Sequence, residues 1–177
     1  MTDISRKLLG ITGWKNSGKT TLTERLVTEL VARGYRISTV KHAHHAFDID
    51  HEGRDSYRHR KAGATEVAVV SSRRWALIHE IENEADEPPL DVVLAKMAPA
   101  DLTLVEGYKR EGHPKLEMRR VSAKDTVPLA PGDPSIVAVV SDTGEAQTNL
   151  PVFHADAVTE IADFVEARFM GIDHSAR

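Results

Sequence analysis

Gly13-Trp14-Lys15-Asn16-Ser17-Gly18-Lys19-Thr20 fits the pattern G-x-x-x-x-G-K-[ST], and no other stretch limits the fold so sharply. The pattern needs a strand before it and a helix opening inside it. Both are predicted here. Leu8-Leu9-Gly10-Ile11-Thr12 is a short apolar run that reads as a buried strand. From Lys19 to Arg33 the apolar Leu22, Leu26, Val27 and Leu30 recur at helical spacing, and Gly34 is a natural stop. Tyr35 to Val40 is β-branched and predicts a second strand. Strand, glycine-rich turn, helix and strand make a βαβ unit, which implies parallel pairing with a right-handed crossover.

The chemistry of such a loop needs these residue types. Gly13 and Gly18 allow backbone conformations closed to residues with a Cβ, so the chain can approach a phosphate closely. The N–H groups of Gly13, Trp14, Lys15, Asn16, Ser17, Gly18, Lys19, Thr20 and Thr21 lie in or just after the turn, where a helix N-terminus attracts an anion. Lys19 supplies charge to the β- and γ-phosphates, and the Thr20 hydroxyl is placed for Mg2+. Lys15 reads as a solvated loop cation or as a group acting on a second subunit.

The rest of the chain repeats the alternation of strand and helix. Strands are expected over Glu66–Ser71, Trp75–His79, Asp101–Glu106, Lys115–Val121, Ser135–Val140 and Pro151–Phe153. Helices are expected over Arg54–Ala62, Leu90–Met97 and Asp156–Met170. This pattern predicts an α/β protein, a P-loop NTPase-like three-layer fold with a mostly parallel central sheet in one domain over residues 1–177. Composition narrows its partners. With 23 Lys+Arg against 27 Asp+Glu, the formal charge of -4 lacks the basic footprint of a general nucleic-acid binder. The absence of Cys excludes disulfides, thiolate zinc sites and Cys nucleophiles. No apolar run has the ~18–20 residues of a membrane span, and the stretch near the N-terminus is too short for a signal peptide. A cytoplasmic protein that binds neither nucleic acid nor membrane is expected.

Two further segments carry chemistry. Asp101 to Glu106 is an apolar strand with a carboxylate at its carboxyl end, the edge where open α/β sheets bind ligands. If this strand neighbours the first one, Glu106 faces Thr20. It is then the candidate catalytic carboxylate, binding Mg2+ through water or orienting the attacking water. Gly107 would let the chain pass near the γ-phosphate, and Lys109 reads as a phosphate contact or an exposed charge. The segment Lys41 to His51 is rich in His and Asp and reads as a loop. His42, His44 and Asp50, with Arg54 and Arg58 downstream, are candidates for a second anionic ligand. A metal site and an exposed polar loop are the competing readings.

GWKNSGKTTL, then KHAHHAFDIDHEGRDSYRHRKAGA, then DLTLVEGYK resembles the molybdopterin-guanine dinucleotide biosynthesis protein B family, MobB, from Leu9 to about Val140. The resemblance implies a small homodimeric P-loop protein that binds GTP and Mg2+ and hydrolyses GTP slowly. It also implies an accessory role beside the guanylyltransferase, a MobA-type protein, that attaches GMP to molybdopterin. For the His/Asp loop it favours ligand or switch contacts over a structural metal, and molybdopterin is one candidate ligand. The N/T-K-x-D motif that reads guanine in Ras-like GTPases is absent. Asp142, after the strand SIVAVV, could accept the guanine N1–H and N2–H, or could be an ordinary turn residue. A kinase or ligase using ATP or GTP on a small molecule is the alternative function. The segment Glu66 to His79, with Trp75, is the expected site of pairing across a two-fold axis.

Overall fold

The computed structural model describes residues 6–43 and 48–171 of the 177-residue chain. The chain divides into two compact units: Met1–His42 with Ala98–Arg177, and Ala43–Met97.

The first unit is built on six strands: β1 (Leu8–Thr12), β2 (Ile37–Lys41), β5 (Leu102–Glu106), β6 (Lys115–Arg119), β7 (Ile136–Ser141) and β8 (Val152–His154). They form a single sheet in the order β2-β5-β1-β6-β7-β8. Every pairing is parallel. β5 is buried along its whole length, as its continuous apolar run implies for a strand covered on both faces. It lies beside β1 in the register Ile11↔Glu106, the adjacency on which a role for Glu106 depends.

One face of this sheet is covered by helices α1 (Lys19–Ala32) and α4 (Val158–Val165), which also pack on each other. The strand residues pointing to it are Leu9 and Ile11, Leu102 and Leu104, Leu116 and Met118, and Ala138 and Val140. They meet Leu22, Leu26 and Leu30 of α1 and Ile161, Ala162 and Val165 of α4. Each of these side chains is at most 2% exposed, so burial of apolar surface drives the contact. Arg33 ties the two helices together through Glu29 (2.8 Å), Asp163 (2.7 Å) and Glu166. Burial works against the Arg33 charge, but the hydrogen bonds to Asp163, Glu29 and Glu166 outweigh it and hold the pKa above its ordinary value.

The other face of β6 is polar and still buried. Lys115 and Glu117 are each 1% exposed. The Lys115 ammonium donates to Asp133 (3.0 Å), Ser135 Oγ (2.6 Å) and the Glu111 carbonyl. The Glu117 carboxylate accepts the backbone N–H groups of Leu129 (2.7 Å) and Ala130 (2.9 Å). The chain from Leu129 to Ser135, with one 3-10 turn at Ala130–Gly132, therefore covers this side of β6 as a third layer. Its peptide groups are satisfied partly within the turn and partly by side chains, those of Leu129 and Ala130 by Glu117.

Element bounds differ from expectation mainly at termini. The sequence places the start of the last helix at Asp156, but the Asp156 carboxylate is taken by Arg25 at 2.6 Å, and the α-helix starts at Val158. It passes into wider π-type turns over Glu166–Met170 and ends at Gly171, with φ 77°.

The second unit holds the antiparallel hairpin β3 (Glu66–Val70) and β4 (Trp75–His79), a two-stranded sheet of its own. Helix α2 (Asp55–Lys61) packs on β3, and α3 (Leu90–Ala95) buries Leu90 and Leu94. Arg60 is its polar centre, paired with Asp48 (2.6 Å), Glu80 (2.8 Å) and Asp50. No helix among the described residues is long and apolar enough to cross a membrane.

Candidate functional site

β1 ends at Thr12 and delivers Gly13 to a turn that only glycine fits. Its φ is 147°, and a Cβ there would stand 2.4 Å from the Met118 carbonyl and 2.6 Å from Ser17 Oγ. Asn16 also has positive φ, 66°, and Gly18 enters α1 at φ 97° as its N-cap. No side chain caps α1, so the N-terminal N–H groups of a 14-residue helix stay available to an anion. Ser17 Oγ is buried and has no partner within the protein, a polar atom left over inside the loop.

Lys19 Nζ bonds back to the carbonyls of Trp14 (2.8 Å) and Gly13 (3.2 Å). Its pKa is lowered, first by burial and then by the Lys109 charge; Glu106 opposes the shift and Lys41 adds to it. Cations therefore crowd Lys19, and a polyanion between them would relieve the repulsion. Lys109 itself sits over the Trp14 ring at 4.5 Å. Lys15 is an exposed side chain; its carbonyl oxygen is 3.5 Å from the Lys124 N–H.

Glu106 reaches this group through the β1–β5 register. The Thr20 hydroxyl donates to Glu106 Oε1 at 2.8 Å. Lys41, its register partner on β2, lies 3.7 Å from the same oxygen. Gly107 (φ 96°) carries the chain past His42; a Cβ there would come within 2.8 Å of the His42 Cβ. His42 donates its backbone N–H to the Glu106 carbonyl (2.9 Å) and packs its ring on Tyr108 at 4.8 Å. A hydroxyl beside a carboxylate is a hard oxygen pair that suits Mg2+ at a phosphate, and these two residues fit that ion. Among the described residues no group of three or more His, Cys, Asp or Glu is placed to hold a metal by itself.

Beside the loop opens a cleft of about 320 Å³, lined among others by Trp14, Ser17, Arg119, Val127, Asp142 and Thr143. A smaller one of about 100 Å³ touches Gly18, Thr21, Arg120 and Asp142. β7 thus brings Asp142 to the phosphate loop. Both carboxylate oxygens of Asp142 accept the Val121 N–H, at 3.2 Å each.

The residues considered for a second anionic ligand are divided between the two units. His42 lies at Glu106 in the larger unit. Asp50, Arg54 and Arg58 belong to the smaller one, and His44 lies outside the described residues. The Asp50 carboxylate is taken by Arg60, whose hydrogen bond holds its pKa below the usual range. Arg58 faces Asp55 at 3.9 Å. Arg60, two residues after Arg58, is an ion-pair centre. Sequence reading missed Lys41, Glu117 and Arg119, because only strand register and the path of the following chain bring them to the site.

The model of the family described as "MobB: Molybdopterin guanine dinucleotide synthesis protein B" matches residues 8–142, well over half of the chain. This chain belongs to the MobB family. The family's range runs from the first residue of β1 to Asp142 and includes every strand named around the site except β8. A Haemophilus influenzae protein named molybdopterin-guanine dinucleotide biosynthesis adapter protein is 38% identical over 165 residues, 90% of this chain and 87% of the relative. An Escherichia coli protein of the same name is 38% identical over 160 residues, covering 89% and 90%. Solved structures agree. A crystal structure of molybdopterin-guanine biosynthesis protein B superposes with a TM-score of 0.71 at 28% identity, over 92% of this chain and 99% of the other. A MobB homologue from Bacillus stearothermophilus gives 0.68 at 29%, over 93% and 99%. The α/β P-loop fold of the family is therefore also the fold of this chain.

Proposed function

We propose that this chain is the adaptor protein of molybdopterin-guanine dinucleotide synthesis, a GTP-binding protein that hydrolyses GTP slowly with Mg2+ and assists the MobA-type guanylyltransferase. The adaptor role follows from family membership and from the names its relatives carry. The observation that carries the nucleotide reading is the Thr20–Glu106 contact at 2.8 Å beside a glycine turn crowded by cations.

In this reading the turn N–H groups from Gly13 to Thr21 cradle the phosphates, and Lys19 exchanges its two carbonyl partners for the β- and γ-phosphates. Thr20 and Glu106 hold Mg2+, which supplies positive charge to the phosphate oxygens when bound. Glu106 also orients the attacking water, with the Lys41 ammonium 3.7 Å from its carboxylate. Asp142 lies at the base cleft as an acceptor for guanine N–H groups. Calorimetric titration of the chain with GTP, GDP and ATP, with and without Mg2+, tests this. Mg2+-dependent binding with GTP preferred is expected; indifference to all three nucleotides would overturn it.

The second unit supports a homodimer. The β3–β4 hairpin exposes Val70 (75%), Trp75 (67%) and Leu77 (41%), an apolar surface that a second copy would cover. A cytoplasmic protein and a contact of His42 with molybdopterin belong to the same reading. Light scattering at micromolar concentration should give about twice the 19.5 kDa chain mass. A monomer with and without GTP would rule the dimer out.

A further inference from the structure

The phosphate loop explains how a nucleotide is held, but not how guanine is chosen without the N/T-K-x-D motif. We infer that Arg119 reads the O6/N7 edge of a 6-oxopurine, and that the buried Glu117 positions it. The inference rests on the nucleotide-site reading above and extends it to the base.

Arg119 is the last residue of β6 and pairs in register with Ser141, the last residue of β7. Parallel register partners point to the same face, and both line the cleft of about 320 Å³ beside the phosphate loop. The next residue, Asp142, donates its backbone N–H to the Arg119 carbonyl at 3.3 Å. A guanidinium and a carboxylate thus line the same cleft at the end of two adjacent strands.

Their chemistry is complementary to one base. Guanine presents acceptors at O6 and N7 and donors at N1 and N2, whereas adenine presents an amino donor at position 6. A guanidinium only donates, so it matches O6/N7 with two parallel N–H bonds and meets the adenine amino group donor to donor. An ionised carboxylate only accepts, and has about four lone-pair sites. Val121 uses part of that capacity on Asp142.

Two observations set Arg119 apart from an ordinary surface arginine. Its Nε is buried and has no acceptor in the protein, a donor held out of water for which a ligand acceptor is the natural partner. Its Nη2 donates to Glu117 Oε2 at 2.8 Å, and Glu117 is 1% exposed with both oxygens in use. Those oxygens also hold the N–H groups of Leu129 and Ala130, which follow the cleft wall at Val127. The same wall is fastened to the phosphate loop, because the Trp14 indole donates to the Val127 carbonyl at 2.7 Å. Glu117 therefore sets the guanidinium and the cleft wall together.

The test is a calorimetric series on the full chain with Mg2+, using GTP, ITP, ATP, 2,6-diaminopurine riboside triphosphate and inorganic triphosphate. In wild type, replacing O6 by an amino group should weaken binding about ten-fold or more, while loss of N2 alone, in ITP, acts through Asp142. Arg119→Met should lose about ten-fold for GTP and ITP alike and leave the diaminopurine nucleotide and inorganic triphosphate within about two-fold. Arg119→Lys should recover part of the loss. Glu117→Gln should reduce the GTP preference without changing triphosphate binding. Equal affinity of wild type for all four purines, with triphosphate still bound, would overturn this inference alone. Equal weakening of every probe by Arg119→Met would also overturn it, as a merely structural effect. If wild type binds neither GTP nor triphosphate, the nucleotide-site reading fails and takes this inference with it. The wild-type series needs no variant to fold.

Discussion

The two sides of β6 in the six-stranded sheet are buried by different means, and the proposed nucleotide site draws on both. The face under α1 and α4 is aliphatic, closed by Leu, Ile, Val, Met and Ala side chains. The face over Lys115 and Glu117 is closed by irregular chain tied down with buried charges. At its upper edge the first face presents Glu106, on the same side of β5 as Leu102 and Leu104, together with α1 and its Lys19 and Thr20. At the corresponding edge the second presents Arg119 and Ser141 beside the cleft. Apolar packing is tolerant of sequence and directionally indifferent, so it suits a phosphate site built mainly from backbone. A base must be told apart by donors and acceptors, and a polar face can hold those in fixed directions.

This contrast can be broken by mutation. The largest effect is expected from Glu117→Ala, which leaves Arg119 and two backbone N–H groups without their partner. Breaking such a buried pair costs about 3–5 kcal/mol, read from urea unfolding. Hydrogen exchange at Leu129 and Ala130 should quicken even where the protein stays folded. Protection unchanged at those two amides would mean that the polar face is not fastened as described. On the opposite face Leu104→Ala should cost about 2–5 kcal/mol through its cavity and yet leave the ratio of GTP to ATP affinity unaltered. A changed ratio would show that the faces are not separable.

Glu106→Gln keeps the shape and removes the charge. Turnover of GTP should fall about a hundred-fold while GTP affinity changes far less, since a water-orienting carboxylate acts mainly in the transition state. Parallel losses in a single-turnover assay and a titration would assign it to ground-state binding. Lys19→Ala should weaken triphosphate binding at least about ten-fold, the worth of one charge-assisted contact, with no loss of stability. Because its pKa is depressed in the free protein and a phosphate partner would raise it, GTP binding above neutral pH should take up protons. That uptake appears as a buffer-dependent enthalpy and should vanish in Lys19→Ala. The smallest effect belongs to Asp133. Burial tends to raise its pKa, but Ser135 and Lys115 overcome that and hold it below the usual carboxylate range. A depressed carboxylate stabilises the fold above its unfolded pKa and loses that contribution as pH falls through the folded value. Asp133→Asn should therefore flatten the acid limb of the stability profile below about pH 4; an unchanged limb would separate Asp133 from Lys115.

How much of this is legible without the structure depends on range. The bounds of β1 and β4 and the start of α1 are readable to the residue, because short apolar runs and the glycine turn are local signals. The glycine turn from Gly13 to Gly18 is readable for the same reason: its conformation resides in consecutive residues. Glu106 is legible conditionally, as a strand-terminal acid whose role waits on the neighbour of β5. Arg54, Arg58 and Arg60 show the limit, since charge alone does not reveal that Arg60 is already paired with Asp48, Asp50 and Glu80.

By itself, then, the sequence determined the phosphate loop, the alternation that makes a parallel sheet, and the family to which the chain belongs. All three are carried by residues adjacent in the chain or repeated with a fixed period. Only the tertiary structure decided that β5 lies against β1, that Lys115 and Glu117 are buried inside β6, and that Arg119 ends beside Asp142. Those facts depend on pairing between strands many residues apart, and a Lys or Glu in a strand looks exposed until the chain that covers it has been placed.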